Sequence, residues 1–167
     1  MASSTHHAQE RSPQETQQSC RNFAQGFYDW YVPKLNSGGS YATALKFKSR
    51  AFSPELVRLL KAASVHDSKS NDDVFLDFDP ILGGQDWPKR VVADKARIKG
   101  DRCWVNNAEL LFKDGGWFFT NFNHGKNKGD DLLSILRNDF REESKNTPSE
   151  RIATTAMQTL TDARGLT

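Results

Sequence analysis

The sequence predicts one α+β domain, in which a curved antiparallel β-meander is wrapped by N-terminal helices and completed by a C-terminal helix. Apolar residues recur at helical spacing before Pro33, alternate with polar residues between Asp86 and His124, and return to helical spacing after Asp131. A length of 167 residues is that of about one domain. A curved meander with helices on one face makes a cone-like shape with an open mouth, which we expect to be the working surface.

Composition divides the chain into three segments. Residues 1–15 are rich in Ser, Gln, His and Glu, and they lack the apolar surface that would offset the entropy of ordering, so a disordered tail is predicted. Residues 16–142 are expected to form the cone-like domain. Residues 143–167 are predicted to be a tail with a sparse helical pattern, which packs on the domain, pairs with a partner or stays frayed.

The first helix is expected over residues 15–31, with an apolar stripe of period near 3.6 at Phe23, Phe27 and Tyr31. Pro33 is expected to stop this helix, because proline lacks an amide donor and restricts the residue before it.

Two further helices are expected before the sheet. A short one lies within residues 41–52, and its apolar members are Ala44, Leu45 and Phe47. The next begins at Ser53, which can cap it, followed by Pro54 at the favoured first helical position. This helix is expected to end near residues 64–67. Its predicted buried stripe is Leu56, Leu59, Leu60 and Ala63.

Three strands are expected after a short strand at residues 74–78 and an irregular loop at 79–88. The turn signals Gly100-Asp101 and Asp114-Gly115 separate a first strand ending at Lys99 from a second strand, and the second from a third. Asp130 or Asp131 is predicted to cap the last core helix.

The charge balance and the hydropathy pattern exclude several classes of protein. Lys and Arg total 23 against 21 Asp and Glu, without a basic cluster, so no nucleic-acid partner is expected. No run of ~18 apolar residues is present, so no transmembrane helix is predicted. The first ten residues have no apolar signal-peptide core. We therefore expect a cytoplasmic protein, or an envelope protein whose native signal was removed.

The two cysteines are a candidate disulfide. Cys20 lies at the start of the first helix and Cys103 in the second meander strand. A pair in an exported protein suggests a disulfide, whereas two unrelated buried thiols are the interpretation that we prefer from the sequence. No neighbouring His-Cys cluster indicates a zinc site.

A polar cluster at the cone mouth is the main candidate for a functional site. It comprises Asp77, Asp79, Gln85 and Asp86. A carboxylate in an aromatic pocket has a raised pKa and can act as a general acid or base. Asp77 and Asp79 can alternatively hold Ca²⁺, although capping of loop amides is the favoured interpretation.

Trp87, Asn121 and His124 complete the candidate ligand-binding or partner-binding set. His124 beside an aspartate can form an acid–base pair, but a solvent-exposed loop histidine is the favoured interpretation. The four tryptophans and Tyr31 can line a pocket for an apolar or ring-bearing ligand, although core packing is more usual for aromatic residues at these spacings. No phosphate loop, nucleophile elbow, HExxH or Cys-x-x-Cys motif is present. No catalytic residue, metal or cofactor is therefore predicted.

Several short motifs appear together in a recognisable order. They are Phe27-Tyr-x-Trp-Tyr31, Phe52-Ser-Pro-Glu-Leu56, Asp77-x-Asp79-Pro80, Gln85-Asp86, Lys113-Asp-Gly-Gly-Trp117 and Asp131-Leu-Leu133. Over about residues 18 to 140 the chain resembles a bacterial family that is classed as a domain of unknown function within the nuclear-transport-factor-two-like superfamily of cone-shaped α+β domains. The resemblance implies a single cone and an envelope protein, exported or lipid-anchored. It transfers no catalytic residue, and this chain lacks the export signal or lipobox of the family.

These observations predict a non-enzymatic binding or inhibitory module of the bacterial envelope, located in the periplasm or cell envelope if a native signal was removed, and otherwise in the cytoplasm. An immunity protein that plugs a toxin's active site and an accessory subunit of an envelope assembly are examples. The expected partner is a protein or a small apolar ligand. One alternative is a small cone-fold enzyme, an isomerase or hydrolase with an Asp general base. Another is a structural domain that oligomerises through its tail helix.

Overall fold

The computed structural model describes residues 13–69, 76–127 and 129–145, and it has the α+β fold. The helices are α1 (Pro13–Asn36), α2 (Tyr41–Lys48), α3 (Pro54–Lys69) and α4 (Leu132–Lys145), with a short 3₁₀ turn at Ser49–Ala51. The strands are β1 (Arg97–Lys99), β2 (Arg102–Val105), β3 (Ala108–Lys113) and β4 (Gly116–Phe122). The predictions made for residues 1–12, for residues 74–75 and for the tail beyond residue 145 fall outside the described residues. Residues 76–78, the described part of the strand expected at 74–78, form no strand.

Helix α1 was predicted to stop at Pro33, but in the structure it continues to Asn36. Proline removes one backbone donor, and the apolar stripe nevertheless extends through Val32 and Leu35, which are both buried. Burial of this last turn therefore outweighs the missing hydrogen bond. The helix ends where Gly38, with φ of 85°, donates its N–H to the carbonyl of Leu35 at 2.9 Å.

The prediction of α3 is confirmed at its start and along its buried face. The hydroxyl of Ser53 accepts the backbone N–H of Leu56 at 3.2 Å, which satisfies a donor at the helix start. The predicted stripe is buried at Leu56, Leu59, Leu60 and Ala63. The helix runs on to Lys69, beyond its predicted end. In α2, Ala44 and Leu45 are buried, but Phe47 is 64% exposed, so its assignment to the apolar face was wrong.

The sheet has four antiparallel strands in the order β1-β2-β3-β4, where the sequence predicted three. The predicted second strand is divided by a reverse turn at Asn106 and Asn107, flanked by the pair Val105 and Ala108. Asn106 has φ of 53°, a conformation that asparagine tolerates better than most residues. An irregularity between Glu109 and Leu110 is of the kind that bends a strand. The cone shape itself stays a prediction.

The predicted first strand is regular only at Arg97–Lys99. Before it, the chain pairs with side chains of α1 instead of with a neighbouring strand. The Gln25 side chain donates to the Val91 carbonyl at 3.1 Å and accepts the Ala93 N–H at 2.7 Å, and Gln17 donates to the carbonyl of Ala96. A glutamine amide can both donate and accept hydrogen bonds, as a strand backbone does, so α1 takes the place of a further strand here.

The core between sheet and helices is centred on Phe119 of β4, which has no exposed surface. Its ring centroid lies 4.9 Å from that of Phe27 on α1 and 5.6 Å from that of Phe52. Ser53 donates its N–H to the Phe119 carbonyl at 2.8 Å, so the chain before α3 covers part of this edge of the sheet. Within the described residues, no helix has the length and apolar character needed to cross a bilayer.

A disulfide bond joins Cys20 of α1 to Cys103 of β2. Both cysteines are fully buried, and 83 residues separate them in the sequence. The preferred interpretation of two unrelated thiols was therefore wrong, because α1 is covalently attached to the sheet. A crosslink over such a long loop restricts the unfolded chain strongly.

We expect reduction of this disulfide to lower the free energy of unfolding by about 4.5 kcal/mol, which is the chain-entropy value for a loop of 83 residues. Urea denaturation with and without a reductant measures the difference. The Cys20→Ala/Cys103→Ala variant is the control, since its unfolding midpoint should not respond to the reductant. Equal midpoints for the oxidised and reduced native sequence would contradict the predicted role.

Candidate functional site

The carboxylate of Asp79 organises the loop between α3 and the sheet. Asp79 is 6% exposed, and its Oδ2 accepts the Tyr31 hydroxyl at 2.5 Å. Its Oδ1 accepts the backbone N–H groups of Ile81 at 3.0 Å and Leu82 at 2.8 Å. An aspartate that accepts amides two and three residues further on stabilises a turn, which is the capping role favoured from the sequence.

The backbone closes the same loop. Asp79 donates its N–H to the carbonyl of Gly84 at 2.9 Å, and Gly83 donates to the carbonyl of Asp79 at 2.8 Å. Ile81 between them is fully buried, and its carbonyl accepts the side chain of Asn107 at 3.0 Å. We call this segment, residues 79–84, the Asp79 loop. It is anchored both in the core and on the sheet.

Burial raises the pKa of Asp79, because the charged carboxylate loses its hydration. The hydrogen bonds from Tyr31 and from the Leu82 and Ile81 amides oppose this shift. The pKa of Tyr31 is also raised, first by burial and then by the negative charge of Asp79. Tyr31 therefore keeps its proton at neutral pH and donates it to the carboxyl group of Asp79.

An open groove lies beside the Asp79 loop. Its volume is about 450 Å³, which falls within the range of small-molecule sites. The end of α1, the start of α2, residues 76–79, Gln85 and Trp87 form its walls. Aromatic and polar side chains contribute to this lining, namely those of Tyr41, Asp77, Phe78, Asp79, Gln85 and Trp87. We call it the Trp87 groove, since the Trp87 side chain lies at its rim and is 37% exposed.

The groove brings together part of the candidate set and leaves the rest outside. Asp77, Asp79, Gln85 and Trp87 line it. Asp86 is exposed and is not part of this lining.

Asn121 has a structural role away from the groove. Its side-chain amide donates to Asp131 at 2.7 Å and accepts the backbone N–H of Leu133 at 3.0 Å. Asp131 in turn accepts the backbone N–H of Ser134 at 3.1 Å, so Asp131 is the cap expected for α4. Burial works to raise the pKa of Asp131, but the hydrogen bonds from Asn121 and Ser134 outweigh it and hold that pKa below its usual value. Asn121 therefore attaches α4 to β4.

His124 lies against the Asp79 loop and not in solvent, so the expectation of an exposed histidine was wrong. Its ring meets Phe78 edge-on at 5.2 Å, and both ring nitrogens are shielded from solvent. A Cβ on Gly83 would lie 2.5 Å from Nδ1, so only glycine fits beside this ring. Burial lowers the pKa of His124, and the Pro80 carbonyl and the charge of Asp131 oppose that shift less strongly. The imidazole is therefore neutral at pH 7.

A metal centre finds no support in the described ranges. No three His, Cys, Asp or Glu side chains among these residues lie close enough together to hold an ion. Ca²⁺ at Asp77 and Asp79 would compete with the donors that Asp79 already accepts, and the Asp77 side chain is exposed.

Tyr31 is the site residue whose hydrogen bond to Asp79 the sequence did not predict. It was placed in the core stripe of α1, and its ring is indeed buried. A buried tyrosine usually finds a hydrogen-bond partner for its hydroxyl, and that rule was the available signal. The partner, Asp79, lies 48 residues away, which local patterns do not reveal.

Comparison with known proteins gave no match to any family model, curated protein or solved structure. The resemblance to the nuclear-transport-factor-two-like superfamily therefore stays a prediction.

Replacing Tyr31 by Phe removes one donor to a buried carboxylate, and we expect it to lower the free energy of unfolding by about 1–3 kcal/mol at pH 7. The loss raises the pKa of Asp79 in the folded state further. Folded protein then binds a proton that unfolded protein does not, so the stability of the variant rises as the pH falls from 7 toward the unfolded value of 3.8. Urea denaturation at several pH values should show the deficit shrinking on acidification. If the difference in unfolding free energy between the native sequence and Tyr31→Phe does not change with pH, the hydrogen bond between Tyr31 and Asp79 is excluded.

Proposed function

We propose that this protein is a non-enzymatic binding module that uses the Trp87 groove and the adjoining mouth of the domain. The exposed indole of Trp87 at the rim of a mostly apolar groove carries the proposal. Tryptophan is enriched among residues that dominate binding energies, because it contributes a large apolar surface and one polar N–H group.

Hydrogen bonding around Asp79 favours binding over catalysis. A general base needs an oxygen that faces the proton to be removed. Asp79 Oδ1 accepts two loop amides and Oδ2 accepts the Tyr31 hydroxyl, so the carboxylate is directed into the protein. The alternative of a small isomerase or hydrolase with an Asp general base has correspondingly less support.

The Cys20–Cys103 disulfide supports an envelope location, because such bonds persist in oxidising compartments such as the periplasm. The resemblance described above favours the same location. We therefore propose a module of bacterial envelope type that binds a protein partner, as an immunity protein or an accessory subunit would. The near-neutral charge of +2 and the acidic groove favour partners other than nucleic acid.

Site-specific photo-cross-linking tests the proposed surface. Gln85 lines the groove and is exposed, so a photo-reactive residue placed there in the native host should form a discrete adduct with the partner. Lys113, exposed at the end of β3, is the matched control position and should form none. Adduct formation is read from gels and the partner is identified by mass spectrometry.

Adding Trp87→Ser should abolish the Gln85 adduct, whereas Phe47→Ser should leave it unchanged. Phe47 is a suitable control because it is a large exposed aromatic residue that does not line the groove. The proposal fails if the adduct persists without Trp87, or if the Gln85 and Lys113 positions capture the same proteins.

A further inference from the structure

Among the described residues, the charged groups that line the Trp87 groove have one sign. Asp77 and Asp79 line it, and no described Lys, Arg or His does. Lys89 and Arg90 follow Trp87 in the chain, but both are exposed and lie outside this lining. His124, on the far side of Phe78, adds no positive charge at pH 7, because burial lowers its pKa. A cation in the groove would therefore meet the exposed side chain of Asp77 without a competing cationic side chain from the described lining.

Aromatic rings supply the second feature of the groove. Tyr41, Phe78 and Trp87 all contribute to its lining, so a ligand inside lies beside three π-systems. Aromatic rings attract organic cations through the negative face of the ring, and tryptophan does so best. Neutral apolar ligands also favour such walls, but they gain nothing from the nearby carboxylates.

Two other half-exposed indoles, those of Trp30 and Trp104, each have a cationic side chain over the ring. Lys48 Nζ lies 5.5 Å from the ring centroid of Trp30, and the Arg97 guanidinium lies 5.1 Å from that of Trp104. Among the residues that the structure describes, no Lys or Arg lies over Trp87 in this way. The ring at the groove rim is therefore open to a cation from outside the described chain.

We infer that the Trp87 groove binds an alkylammonium group attached to an apolar body. The group is carried by a lysine side chain of the protein partner, and a free small amine is the outcome that the last titration below would detect instead. The inference rests on the proposed function, because it names the chemistry that the same groove recognises. Asp77 supplies the free carboxylate and Trp87 the aromatic face, while Asp79 holds the loop between them.

A comparison of choline with its neutral isostere 3,3-dimethyl-1-butanol isolates the effect of the charge. The four tryptophans should give four indole N–H signals in a ¹H–¹⁵N spectrum, and the Trp87 signal is identified by its loss in Trp87→Phe. We expect choline to shift this signal with a Kd about tenfold lower than that of the isostere, as one cation–π contact with a nearby carboxylate supplies.

Matched carboxylate variants locate the cation. Asp77→Asn should weaken choline binding several-fold and leave the isostere unaffected. Asp94→Asn, at an exposed carboxylate outside the groove lining, should change neither. Titration with Nα-acetyl-lysine methylamide then separates the sources. Binding as tight as that of choline assigns the groove to a partner's lysine, and clearly weaker binding assigns it to a free quaternary amine.

Equal affinities for choline and 3,3-dimethyl-1-butanol would overturn the inference and leave the groove as an apolar binding surface. Absence of any Trp87 shift at choline concentrations on the order of 50 mM would also overturn it, since even weak cation–π sites are populated there. The cross-linking experiment at Gln85 decides the proposed function independently, so the failure of one is distinguishable from the failure of the other.

Discussion

The carboxylate of Asp79 lies almost out of contact with solvent and accepts hydrogen bonds from the Tyr31 hydroxyl and from two amides of its own loop. An unpaired acid in such a place would cost several kcal/mol, and the donors offset that cost. The side chain thereby sets the course of the chain between α3 and the sheet. The Trp87 groove lies beside this loop, and Asp79 itself contributes to its lining.

Helix α1 gives this contact a fixed position, because the helix is attached to the rest of the fold at two places. Cys20 bonds covalently to β2, and Tyr31 bonds to Asp79 about three turns further along the helix. Phe27 packs between them against Phe119. Because α1 is fixed at these two positions, it can shift little relative to the sheet and the Asp79 loop. The groove is therefore expected to be largely preformed. A preformed groove binds with a smaller ordering cost.

Local chemistry made several elements predictable from the sequence. The cap at Ser53 and the stripe beginning at Leu56 define α3, and the Gly100-Asp101 signal defines the turn between β1 and β2. The chain before β1 and the turn at Asn106 were not predicted. There, long-range pairing with Gln25 and a left-handed asparagine decided the conformation, and neither has a strong local signature.

The candidate site was partly predictable for the same reason. Asp79 and Trp87 stand out because a loop rich in Pro and Gly carries few other chemically distinctive residues. The residues that complete the site come from distant positions. Tyr31 of α1 donates to Asp79, and Tyr41 of α2 lines the groove together with Trp87. Asn121, by contrast, was assigned to the site because it lies near His124 in the sequence, and it attaches α4 through Asp131 instead.

Native-state hydrogen exchange at Leu82 tests the central role of Asp79 most directly. In the native sequence the Leu82 amide donates to Asp79 and should be protected. In Asp79→Ala we expect this amide and that of Ile81 to exchange at least about tenfold faster, while amides in the β3–β4 ladder such as that of Leu110 keep their protection. Unchanged exchange at Leu82 in a folded Asp79→Ala protein would contradict the account.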